Sequence, residues 1–216
     1  MSTRINGEPS APISSKDDLI AWIAAGEKPK SRWRIGTEHE KFVFHTDTLG
    51  PVPYAGPRGI RALMESMIGC YGWEPILEGD NIIALKRPDG EPGGTISLEP
   101  GGQFELSGAP LESLHETAAE TSEHLIEVVH VGEPLGIGFL GLGFSPKWTL
   151  DETPRMPKRR YAVMTRYMPQ VGSRGLDMMY RTSTIQVNLD FASEVDMVEK
   201  LRVSLALQPV ATALFA

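Results

Sequence analysis

The sequence predicts an α+β fold built around an antiparallel sheet. Three observations carry this. Short β-type runs at 76–85, 95–98 and 103–106 are joined by Gly- and Pro-rich turns, the spacing of a meander. Thr184 to Phe191 alternates without a break, Ile185, Val187, Leu189 and Phe191 on one face and Thr184, Gln186, Asn188 and Asp190 on the other. Helical periodicity occupies separate blocks, about 58–68 and 110–136.

Each element follows from local signals. Residues 1–13 are polar and read as a flexible tail. Ser15 with Asp18 three residues later forms a capping-box pattern ahead of Leu19, Ile20, Trp22 and Ile23, a short helix ended by Gly26 and Pro29. Arg34 to Phe44 reads as a strand. Gly50, Pro51, Pro53, Gly56 and Pro57 mark a connection. Ile60, Leu63, Met64 and Met67 then fall at helical spacing. After the meander, Pro110 opens a long helix through Leu111, Leu114, Leu125, Val128 and Val129, closing near Gly136. Phe139 to Phe144 reads as a buried strand, and 145–160 as a Pro-rich basic connection. Ser193 and Asp196 cap a last helix from about Glu194. That helix ends in an uncapped apolar run, Leu205 to Ala216, as a helix does when it packs against something that follows.

Composition narrows the function classes. With 41% hydrophobic residues among 216, the chain can bury a core. Lys and Arg total 21 and Asp and Glu 28, a net charge of −7. That argues against nucleic acid as a partner, since phosphate binding needs cationic contacts. The stretch 135–144 is too short, and too interrupted by glycine, for a membrane span, so no membrane partner is expected. The single cysteine, Cys70, excludes an intrachain disulfide and reads as structural. With no apolar signal core at the N-terminus, the expected location is the cytoplasm.

Four segments could carry chemistry. In 36–42, Glu38 and Glu40 share one strand face by the period of two, and His39 takes the other. Paired carboxylates repel unless a cation lies between them, and hard Mg²⁺ suits oxygen ligands. A bare Glu-x-Glu is nevertheless more often two solvated glutamates. In 97–107, Glu99 and Glu105 flank a Gly101-Gly102 turn, and Glu105 sits between Phe104 and Leu106. A carboxylate there needs a partner, a metal or an exposed face. The polar face of 184–190 offers Gln186 and Asn188 to the same cleft, or simply faces water. The basic stretch Lys158-Arg159-Arg160-Tyr161, with Arg166, Arg174 and Arg181 beyond, suits substrate carboxylates or phosphates, or is a solvated loop. The glycines of 136–143 do not lie between a strand and a helix, which rules out a dinucleotide loop.

The segments IGTEHEKF (35–42), EGDNIIALK (78–86), SLEPGGQFELSGAPL (97–111) and GFLGLGFSPKW (138–148) resemble the plant and proteobacterial type of glutamate–cysteine ligase. So do MPKRRYAVM (156–164), YMPQVGSRGLDMMYRTSTIQVNLDF (167–191) and LALQPVATALFA (205–216). The resemblance implies a glutamine-synthetase-like antiparallel sheet forming an active-site cup, with helices outside. It further implies that 14–216 is the N-terminal part of a single catalytic domain, inactive alone, completed by a C-terminal half.

The implied reaction joins the L-glutamate γ-carboxylate to the L-cysteine amine through a γ-glutamyl phosphate, with ATP as co-substrate and Mg²⁺, or Mn²⁺, as cofactor. This is the first step of glutathione biosynthesis. Carried over by motif, Glu38, Glu40, Glu99 and Glu105 are metal ligands, with Glu38, Glu40 and Glu105 central to catalysis. Gln186 is a further metal or phosphate contact, and Gln186 with Asn188 contacts the nucleotide. Arg160, Tyr161, Arg166, Tyr167 and Arg181 recognise substrate. Ser183 stands where the plant pattern has Cys, so the plant redox switch is not carried over. A homodimer is left open. The alternatives are a ligase using another amine, since a carboxylate cup does not choose the amine, and a non-catalytic paralogue or binding module.

Overall fold

The computed structural model describes residues 12–88 and 93–215. In chain order its elements are α1 (Lys16–Ala24), β1 (Ile35–His45), α2 (Ile60–Tyr71), β2 (Glu74–Glu78), β3 (Asn81–Lys86), β4 (Thr95–Leu98) and β5 (Phe104–Ser107). Then follow α3 (Leu114–Gly132), β6 (Ile137–Leu140), α4 (Arg159–Val171), α5 (Gly175–Arg181), β7 (Ile185–Leu189) and α6 (Glu194–Phe215). The seven strands form one sheet in the order β2-β3-β4-β5-β1-β6, with β7 also on β1. Every pairing is antiparallel, as the meander spacing predicts.

Register decides what each face carries, because residues directly opposite in an antiparallel pair project to the same side. Glu40 pairs with Glu105, and Glu105 with Ser97. Glu38 pairs with Ser107 on one side and Gln186 on the other. That is the polar face. The intervening residues Phe104, Leu106, Ile96, Leu98 and Leu85 are all nearly inaccessible on the opposite face. There Phe104, Ile96, Leu98 and Leu85 join Ile60, Leu63, Met64 and Met67 of α2 and Val128 and Val131 of α3 in one core. Each such side chain contributes roughly 1.5–3 kcal/mol by leaving water. The helices thus cover one face of the central strands and leave the other to the carboxylates.

The caps expected at two helix starts are present, the first as a full capping box. Ser15 and Asp18 cap α1 reciprocally; at α6 the Ser193 hydroxyl accepts the Asp196 N–H, while the Asp196 carboxylate accepts the N–H of Ala192. The long helix begins later than Pro110. Ser113 and Glu116 form its capping box, and Leu111 instead bridges to Ile35 of β1. Its inward stripe is His124, Glu127, Val128 and Val131, whereas Leu125 and Val129 are exposed. Glu127 is tolerated inside because it accepts the Trp73 indole N–H at 3.1 Å and pairs with Arg87 at 3.0 Å.

Three further expectations change. Phe139 to Phe144 is not a buried strand: β6 ends at Leu140, and Phe144 is exposed. The basic connection ends in a helix, α4, that starts at Arg159. The apolar face of β7 is open, with Ile185, Val187 and Leu189 all more than half exposed, and α6 buries none of its described residues. Cys70 is exposed near the end of α2. Of the tail expected over 1–13, only 12 and 13 are among the described residues, and both are exposed. Among those described, no helix is long and apolar enough to cross a membrane.

Candidate active site

Glu40, Glu99 and Glu105 converge on the polar face, each offering a carboxylate oxygen within 4.8 Å of the other two. Two come from paired strands, β1 and β5, and the third from the turn that links β4 to β5. That turn is built by Gly101 and Gly102. Gly102 has φ of +86°, which favours glycine, and a Cβ on Gly101 would stand 2.5 Å from the Tyr180 carbonyl oxygen. The backbone closes through Gly102 N–H to Glu99 O and Glu99 N–H to Gln103 O, both 2.9 Å. Gln103, itself buried, clamps the turn: its carbonyl accepts the Gly101 N–H at 2.9 Å and its amide donates to Thr182 O at 2.6 Å.

Neighbouring donors fix the other carboxylates. Glu105 accepts the Ser97 hydroxyl at 3.0 Å and the Ser107 hydroxyl at 2.5 Å. Glu40 accepts the Thr184 N–H at 2.9 Å and its hydroxyl at 3.1 Å. Glu38 stands one rung away, accepting the Asn188 amide at 3.2 Å, and lies outside the convergent trio. Gln186 donates to the Thr184 hydroxyl at 3.2 Å, so the β7 amides brace the β1 glutamates.

Three carboxylates this close, two buried and Glu99 partly so, cannot all ionise freely. Burial, then repulsion from Glu105 and Glu40, raises the Glu99 carboxyl to about 7. Burial also raises Glu40, with Thr184 opposing and Glu105 and Glu38 adding repulsion. Burial would raise Glu105 too, but the Ser107 and Ser97 hydroxyls hold it below its ordinary value. A divalent cation with hard oxygen preference would relieve this repulsion, and the donor set is entirely carboxylate oxygen.

Lys158 belongs to the site although its sequence context reads as a solvated loop. It is buried, donating to Leu98 O at 2.7 Å and to the Tyr161 hydroxyl at 3.4 Å. Burial lowers its ammonium to about 8, while Glu99 favours the charge. Tyr161 is buried beside it and donates to Leu98 O at 2.6 Å, with Glu99 Oε1 at 3.4 Å. Arg160 is exposed, its guanidinium 5.2 Å from the Tyr161 ring centre. Arg166 and Tyr167 are exposed on α4. Arg181 is held by Asp177 at 2.9 Å and lies over the Phe144 ring at 4.6 Å. The structure therefore unites Glu40, Glu99, Glu105 and Tyr161, places Glu38, Gln186 and Asn188 alongside, and leaves the three arginines on the helices beyond. Ser97, Ser107 and Thr184 were missed as partners. Ser107 was legible, since it lies two residues from Glu105 on one strand face, whereas Ser97 meets Glu105 only through the β4–β5 register.

An α+β chain whose antiparallel sheet gathers buried carboxylates on the face its helices leave open is the class that fold and site define. The chain belongs to glutamate-cysteine ligase family 2, whose family model matches residues 34–216. Over 202 residues, 94% of this chain, it is 58% identical to glutamate–cysteine ligase A, chloroplastic, of Oryza sativa subsp. japonica. It is 59% identical to the chloroplastic enzyme of Nicotiana tabacum and 58% to that of Brassica juncea over the same span. The matches cover 40%, 37% and 38% of those proteins, so the chain spans about two fifths of their length.

The relatives overturn the cytoplasmic expectation, since these three are named chloroplastic. The signals read could not make that distinction. Plastid-directing segments are amphipathic and rich in Arg and Ser, without the apolar core that marks a secretory leader.

Proposed function

We propose that this chain supplies the carboxylate cup of a glutamate–cysteine ligase. The reaction is ATP-dependent ligation of the glutamate γ-carboxylate to the cysteine amine through a γ-glutamyl phosphate, opening glutathione synthesis. The observation that carries the reading is the trio Glu40, Glu99 and Glu105, gathered from separate segments on one sheet face of a chain so similar to proteins named for that activity. Glu40, Glu99 and Glu105 would hold Mg²⁺, with Glu38 and Gln186 beside them. When bound, the ion supplies charge neutralisation between the transferring phosphoryl group and the substrate carboxylate.

The chain's own residues do the positioning. Thr184, Ser97 and Ser107 aim the carboxylates, which lowers the reorganisation needed when charge develops. Tyr161 and Lys158 fix the strand end that carries Glu99 and keep a positive charge at the cup's rim. Arg160 and Arg166 stand on the first turns of α4, where their forks suit substrate carboxylates or phosphates.

The test is ADP release with glutamate and Mg²⁺, with and without cysteine, in a chain of the relatives' length that carries this segment. Cysteine-dependent turnover yielding γ-glutamylcysteine, lost in Glu105→Gln, is the expected result. Turnover with another amine but not cysteine would move the substrate, and none with any amine would remove the reading.

A further inference from the structure

The trio draws its members from separate parts of the chain, and a side chain outside it joins two of those parts. Gln103, just before β5, is 2% exposed. Its Oε1 accepts the Gly101 N–H at 2.9 Å, inside the turn that carries Glu99. Its Nε2 donates to the Thr182 and Met179 carbonyl oxygens at the end of α5, at 2.6 and 3.4 Å. One orientation of the amide serves both sides, since a donor must meet each carbonyl and an acceptor must meet the N–H.

Each side leads to a carboxylate. On the first, Gln103 O accepts the Glu99 N–H at 2.9 Å, so one residue holds the turn through both backbone and side chain. On the second, Thr184 lies two residues beyond Thr182. It gives Glu40 its N–H and its hydroxyl, and its carbonyl accepts the Glu40 N–H at 3.1 Å. The stretch between is tied down as well. Ser183 N–H donates to Gly143 O at 3.2 Å, and Ser145 N–H to Arg181 O at 2.8 Å. The same amide therefore resists movement of either arm.

Such a bridge bears on ion size. Mg²⁺ demands near-ideal geometry at about 2.0–2.1 Å, whereas Ca²⁺ accepts about 2.3–2.6 Å and irregular arrangements. Carboxylates held at a fixed spacing can favour the first ion, and a loosened set loses that advantage. Partners that orient ligands without touching the metal typically carry about 10–100-fold in its affinity.

We infer that Gln103 is a positioning residue of the cup, its amide locking the Glu99 turn to the segment that clamps Glu40 and so setting the spacing that favours Mg²⁺ over Ca²⁺. This rests on reading the trio as a divalent-cation site.

The experiment is calorimetric titration of the full chain with Mg²⁺ and, separately, Ca²⁺, in wild type and in Gln103→Met, which keeps the side chain's length and loses its polar groups. Affinity for Mg²⁺ should fall by roughly tenfold or more and affinity for Ca²⁺ by clearly less, so the ratio between the ions narrows. Ile60→Val, a small cavity in the core behind the sheet, lowers stability but should leave the ratio as it is. In the metal-free Gln103→Met chain, hydrogen exchange at the Thr184 amide should quicken, because its clamp on Glu40 has lost its anchor. A ratio unchanged in Gln103→Met, or narrowed equally by Ile60→Val, overturns this inference and leaves the metal site standing. No Mg²⁺ binding in the wild type removes the metal site and this inference with it. Should Gln103→Met fail to fold, Gln103→Asn decides by the same ratio, since it keeps both polar groups but is too short to reach both sides.

Discussion

Glu99→Gln should stabilise the metal-free chain increasingly as pH rises from 4.5 through 7. Glu99 carries the largest uncompensated cost in the cup, its carboxyl moved from the ordinary 4.5 to about 7 by burial and by Glu105 and Glu40. At ~1.4 kcal/mol per pH unit, that difference is worth ~3 kcal/mol. The sign follows from proton binding. Between pH 4.5 and 7 the folded chain keeps a proton on Glu99 that the unfolded chain has released. The stability contributed is fully present below 4.5 and is lost as pH rises through 7.

Gln cannot ionise, so the variant should match wild type near pH 4.5 and exceed it by up to ~3 kcal/mol at pH 8. Buried His124 and partly buried His39, lowered to about 2 and about 4, act with the opposite sign in acid but are common to both chains and cancel in the difference. Lys41, lowered to about 7 by burial, cancels likewise above neutrality. Urea unfolding of both chains at half-unit steps from pH 4.5 to 8, with chelator present, gives the curve. Saturating Mg²⁺ should reverse the order at pH 8, because wild type then regains a ligand the variant lacks. A difference that does not change with pH, or a variant less stable at pH 8, would refute the electrostatic account of the trio.

Two other perturbations test the scaffold. Gly101→Ala puts a methyl carbon 2.5 Å from the Tyr180 carbonyl oxygen, well inside van der Waals contact. The expected cost is roughly 1–3 kcal/mol, as for overpacking, read as a lowered urea midpoint together with weakened divalent-cation binding. Tyr161→Phe removes the hydroxyl that donates to Leu98 O at 2.6 Å. A loss of roughly 1–3 kcal/mol is expected, and an unchanged unfolding midpoint would show that Lys158 alone satisfies that carbonyl.

The sheet was legible because its signals are local. Thr95–Leu98 is a strand with the predicted bounds, and β5 and β7 lie within a few residues of theirs. Glu99 and Glu105 could be seen flanking a glycine turn, and Glu40 as one of a same-face pair. What joins them could not be seen. The register that sets Glu40 against Glu105 spans more than sixty residues, and no local pattern encodes it. For the same reason Glu38 and Glu40 read as equals, although only Glu40 reaches the trio. Helices α4 and α5 escaped notice because Arg159-Arg160 and Pro169 mimic a connection, and their inward residues, Tyr161, Met179 and Tyr180, are few. The β7 alternation showed which face is apolar but not whether anything covers it. Lys158 shows the converse error, since a basic run in sequence need not be solvated when the next residues dock on a strand end.

The central claim is that Glu40, Glu99 and Glu105 form one divalent-cation site. Calorimetric titration of the chain with Mn²⁺ at pH 7.5 tests it most directly. Saturable binding that weakens by roughly tenfold or more in Glu40→Gln and in Glu105→Gln, while Leu114→Ala on the exposed side of α3 leaves it intact, is the predicted result. Absent binding, or binding that survives both substitutions unchanged, would contradict the account.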